Sequence, residues 1–117
     1  MRHRKAGRKF GRTADHRQAM TRNQVTALLR HGRITTTEAK AKELRRWVER
    51  VITTAKPGDV QAHRQVALYV NDREASRRLF TTYLERYRDR QGGYTRIYRT
   101  EQRHGDAAPM AIIELID

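Results

Sequence analysis

The 117-residue sequence contains no cysteine. That absence excludes disulfide staples, thiolate zinc sites and a cysteine nucleophile, and it fits a reducing compartment. Proline is scarce, at 2 residues, and aromatic residues make up only 7%. No apolar run approaches the ~20 residues that span a bilayer, and the charged N-terminus lacks the apolar stretch of a signal peptide. The expectation is a chain with no membrane contact and no signal-directed secretion. Acidic residues are few, 13 against 26 Lys and Arg, for a net charge of +13. Hydrophobic residues account for 37%, below the roughly 45–50% usual in soluble domains, so much of the chain is either wet or bound to a polyanion. A chain of this length buries about two-thirds of its unfolded surface and has little room for a second core, so one domain is expected.

The charge is unevenly placed. Residues 1–33 carry ten basic side chains against the single acid Asp15, or +9, and the remaining 84 residues carry only +4. Within the first stretch, Arg2, Arg4, Lys5, Arg8, Lys9 and Arg12 are interleaved with Gly7, Phe10 and Gly11, with no helical or strand period. Residues 1–14 therefore read as an arm that has nothing to bury and orders only against a polyanion. Arginine outnumbers lysine 21 to 5. Arginine adds to charge a planar fork that fits phosphates and guanine edges, although a GC-rich genome also raises its share.

The other motifs place elements on residues 15–117, read as one globular domain without repeats or low-complexity linkers. Asp15 and Gln18 have capping-box spacing ahead of an apolar stripe formed by Ala19, Met20, Val25, Ala27, Leu28 and Leu29, and Gly32 closes it, predicting a helix over about 15–31. Arg33–Thr36 is β-branched and short, an edge strand. Ala41, Leu44, Val48, Val51, Ile52 and Ala55 fall on one face of a helix that Thr37 caps and Pro57-Gly58 stops. Asp59 opens a shorter helix to about Val70, and the spacing of Asn71 and Glu74 opens another to about Arg90, ended by Gly92-Gly93. Residues 94–100 and 110–116 then read as strands, antiparallel neighbours across a polar loop. The order α-β-α-α-α-β-β predicts an α+β fold of two layers, helices packed on a small mixed sheet, with the basic arm in front.

Catalytic chemistry finds no players. His3, His16, His31, His63 and His104 show no metal-ligand spacing, and there is no phosphate-binding glycine loop, nucleophile elbow or paired-carboxylate arrangement. The expectation is no catalytic residue, no metal, no cofactor and no small-molecule substrate. What remains is a basic and aromatic constellation of Arg90, Tyr94, Arg96, Tyr98, Arg99, Arg103 and His104. Strand alternation puts Tyr94, Arg96 and Tyr98 on one face and Thr95, Ile97 and Arg99 on the other. The tyrosines are read either as core aromatics or as stacking surfaces for bases, and Trp47 as packing. A DNA-binding regulator is the main rival, but no helix-turn-helix pair with a short glycine turn is visible.

Several segments, in order, resemble one family: Met1–Lys9, His16–Met20, Arg22-Asn23, Arg30–Thr37, Ala39–Arg45, Gly92–Ile97, Gly105-Asp106, Ala108–Ala111 and Ile113–Leu115. The chain is similar to bacterial large-subunit ribosomal protein seventeen over nearly its whole length, departing from the common pattern at Phe10–Asp15 and Leu84–Arg86. The resemblance implies a cytoplasmic structural protein of the large ribosomal subunit, with large-subunit ribosomal RNA and neighbouring ribosomal proteins as partners. On that footing the expected RNA contacts in and after the arm are Arg2, His3, Arg4, Lys5, Arg8, Lys9, Arg12, His16, Arg17 and Arg22. The expected contacts on the domain are Lys40, Lys42, Arg90, Tyr94, Thr95, Arg96, Arg99 and Arg103.

Overall fold

The computed structural model describes residues 14–117, so the contacts expected of the arm up to Arg12 lie outside the described residues. Helix α1 spans Ala14–His31. It begins one residue before Asp15, whose carboxylate therefore sits in the first turn, beside the positive end of the helix dipole, rather than at the N-cap. The apolar stripe is also shorter than expected. Val25, Leu28 and Leu29 are fully buried, but Ala19 is exposed and none of residues 15–24 is buried. The first ten described side chains, on about 15 Å of helix, are thus exposed or half-buried. Gly32, at φ +83°, ends the helix, and its N–H donates to the Leu28 carbonyl at 2.7 Å.

Strand β1 (Arg33–Thr37) follows directly, and the Thr37 side chain accepts from the Lys40 N–H to cap α2 (Glu38–Ala55). The six residues at helical spacing in α2, from Ala41 to Ala55, are all buried. Asp59 caps α3 (Val60–Val66), accepting from the Ala62 N–H at 2.8 Å. This helix is shorter than the expected 59–70; its last turn unwinds while Val70 stays buried and Tyr69 packs on Trp47, ring centroids 5.5 Å apart. The next cap is Asp72 rather than Asn71, because Asp72 accepts from the Ala75 N–H at 3.0 Å whereas the Asn71 side chain is engaged by Thr26 of α1. The last helical stretch is α4 (Arg73–Arg78), a π-helical turn (Leu79–Tyr83) and α5 (Leu84–Arg86). It is a segmented rod where the sequence predicts one regular helix to Arg90.

Strands β2 (Thr95–Arg99) and β3 (Met110–Leu115) complete a sheet of order β1-β3-β2. Both pairings are antiparallel, which corrects the expectation of a mixed sheet: β1 returns beside β3 with Arg33 opposite Glu114, and β2 pairs with β3 from Thr95 opposite Leu115. Helices α1 and α2 cover one face of the sheet, α3 packs on α2, and α4 packs on α1. The core joins these layers through a chain of buried tyrosines. Tyr83 and Tyr87 lie 6.2 Å apart, Tyr87 and Tyr94 5.0 Å apart, and the Tyr87 hydroxyl donates to the Ile116 carbonyl. The result is the expected α+β fold of helices on a small sheet.

Candidate nucleic-acid interface

Helix α1 offers the first basic surface. On its first half His16 is exposed, and Arg17 and Arg22 are half-buried. The Nε atoms of both arginines are enclosed and have no hydrogen-bond acceptor among the described residues.

The sheet offers the second. Because paired residues share a face, the face away from the helices carries Arg33, Glu114 and Arg96 on one rung and Thr35, Ile112 and Tyr98 on the next. Arg96 donates through Nε and Nη2 to one oxygen of Glu114, at 2.9 and 2.6 Å. The Tyr98 hydroxyl donates to the other at 3.1 Å and accepts from Arg33 Nη2 at 3.3 Å. The hydrogen bond from Arg96 holds the Glu114 carboxyl below its usual range, and the same contact raises the Arg96 guanidinium. Arg33 and Glu114 do not belong to the contacts expected from sequence, and Tyr98 is read there only as one of two alternatives, core or stacking.

Arg99 and Arg103 of the constellation also have carboxylate partners. Arg99 reaches Glu38 at 3.1 Å, and Lys42 reaches the same oxygen at 3.2 Å. Hydrogen bonding from Lys42, with Arg99 nearby, keeps Glu38 ionised below its usual range. Arg103 grips Asp106 with two nitrogens, at 3.1 and 2.6 Å, and together with the Ala108 N–H lowers the Asp106 carboxyl to about 2. These acids fix the direction of the arginines and cancel much of the local charge. Lys40 and Arg90, by contrast, have no carboxylate within ion-pair distance among the described residues.

Two expected contacts are corrected. Tyr94 is fully buried, its hydroxyl 3.2 Å from both Thr53 Oγ1 and the Arg90 carbonyl, which leaves no ring face for a base. Thr95 is buried and donates to Glu49 at 2.8 Å. The alternation fails at Tyr94 because β2 begins only at Thr95; after Gly92 and Gly93, both at positive φ, the chain turns the ring inward. Among the described residues no group of three potential ligands could hold a metal ion, and no helix is long and apolar enough to cross a membrane.

The described residues thus form a small α+β domain with oriented arginines on an open sheet face and basic residues on the first half of α1. Comparison with known proteins narrows the class. The family model for Ribosomal protein L17 matches residues 20–116. The large ribosomal subunit protein bL17 of Trichlorobacter lovleyi is 54% identical over 117 residues, covering all of this chain and 94% of the relative. Those of Geobacter metallireducens and Geobacter sulfurreducens are each 55% identical over the whole chain, which spans 66% and 67% of their lengths. The chain belongs to the ribosomal protein L17 family.

Proposed function

We propose that the protein is a structural constituent of the large ribosomal subunit, in the cytoplasm, and that it acts without catalysis. It binds and stabilises folded large-subunit ribosomal RNA beside neighbouring ribosomal proteins. The arm, residues 1–14, and the start of α1 make the principal contact, and the globular domain, residues 15–117, fixes where that contact begins. The observation that carries this reading is the +9 charge of residues 1–33, ten basic side chains against one acid. Contacts to phosphate position the protein on RNA shape rather than on sequence. Lys40, Lys42, Arg90, Arg96, Arg99 and Arg103 add a second set of contacts from the domain.

The salt dependence of binding tests this. If about eight phosphates in helical RNA are neutralised, log affinity falls against log salt with a slope of roughly −7. Deleting residues 2–12 lowers both the affinity and the slope while the helical circular dichroism signal stays close to that of the full chain. Affinity for ribosomal RNA that does not change between low and moderate salt overturns the reading.

A further inference from the structure

We propose that the open face of the sheet is a separate RNA site that seats one unpaired nucleotide, its base on the Tyr98 ring and its phosphate on the N–H groups of Arg33 and Arg96 that Glu114 and Tyr98 leave unused. The inference rests on the ribosomal RNA-binding reading and gives it a second point of contact. Tyr83, Tyr87 and Tyr94 are buried in the core, whereas Tyr98 stands 38% exposed on the face opposite the helices. Its hydroxyl is held from two sides, by Glu114 and Arg33. The ring is therefore already oriented, and little side-chain freedom is lost when a base settles on it.

The cations are prepared in the same way. Glu114 lies between Arg33 and Arg96 on the central strand and uses both oxygens within the cluster, one for Arg96 and one for Tyr98. It acts as a positioning residue, and the rung keeps one net positive charge. Arg96 spends two of its five N–H donors on Glu114, which leaves three for an incoming phosphate. Ile112, beside Tyr98 on the central strand, extends the apolar floor. Paired bases in an RNA helix are stacked on one another and offer no free face, so this geometry fits a looped-out or single-stranded nucleotide, for which an aromatic flanked by cations on a sheet is suited.

The test compares the full chain with Tyr98→Ala, Tyr98→Phe and the deletion of residues 2–12, binding a labelled transcript of large-subunit ribosomal RNA. Tyr98→Ala weakens binding by between about 5-fold and 150-fold with an unchanged salt slope, because stacking releases no counterions. Tyr98→Phe keeps the ring and most of the affinity. Equal losses in both variants overturn stacking. Wild-type affinity in Tyr98→Ala, with the deletion still weakening binding, overturns the sheet site and leaves the broader reading standing; no salt-dependent binding by the wild type overturns both. A photoreactive benzoylphenylalanine in place of Tyr98, incorporated into reconstituted large subunits, crosslinks to RNA. Crosslinking to a protein chain instead assigns the face to a protein partner and overturns the inference.

Discussion

Gly32 occupies the left-handed region, φ +83°, at the point where α1 hands over to β1. A Cβ placed there meets only the Tyr83 hydroxyl, at an ordinary 3.6 Å, so an added methyl group has room and the penalty is conformational. Gly32→Ala should lower stability by about 1–2 kcal/mol in urea denaturation while leaving the fold unchanged. Asp106 provides a second residue-scale test. Its carboxyl is lowered from 3.8 to about 2, first by Arg103 and then by the Ala108 N–H. A depressed carboxylate contributes stability that is complete above its unfolded value and is lost as pH falls through the folded one. The turn at residues 103–108 therefore keeps its form to below pH 3, and a carbon-detected NMR titration should place the Asp106 midpoint near 2. Arg103→Ala should move that midpoint back towards 3.8. At this scale the sequence shows which residue types are present and hides which partner each one meets. The Gly-Asp turn is visible in the chain, but the carboxylate shared by Arg96 and Tyr98 depends on pairing with a strand more than ten residues away.

Helix α2 is the element most legible in the sequence, because its apolar residues keep the 3.6-residue period and its cap and stop signals agree. The segment from Arg73 to Arg86 shows why others are less so. Ala75, Leu79, Tyr83 and Tyr87 are all buried at a uniform spacing of four, which on a regular α-helix drifts by about 40° at each step. The π turn at Leu79–Tyr83 accommodates one extra residue per turn and brings Tyr83 and Tyr87 back to the core side. Thr82 is exposed within that turn. Deleting Thr82 converts the spacing to four, three, four, the natural rhythm of an α-helix facing a core. The variant should keep a cooperative thermal transition and a helical signal of native size; loss of both would show that the π turn itself is required. The shift of the cap from Asn71 to Asp72 has a tertiary cause of the same order, since Thr26 of α1 claims the Asn71 side chain and local sequence carries no trace of that contact.

For the molecule as a whole, charge arithmetic shows where basic residues are concentrated along the chain but cannot distinguish free from paired cations. Carboxylates engage Arg96, Arg99 and Arg103 across rungs, between elements and within a turn, so the second basic cluster contributes oriented donors more than net charge. Of the open sheet face, sequence reading finds Arg96 and Tyr98 on one strand and misses Arg33 and Glu114, because Arg33 and Arg96 are 63 positions apart until β3 comes between them. The first half of α1 bears on dynamics as well. Residues 15–24 have no fully buried side chain, and a free helical segment of that length is marginal in water. Their amide protons should exchange with solvent much faster than those of Val25–His31 in the free protein and slow on binding ribosomal RNA, as mass spectrometry of deuterium uptake would record. On that outcome the partner completes the folding of the chain, and the same short stretch of backbone reports, amide by amide, how far assembly has progressed.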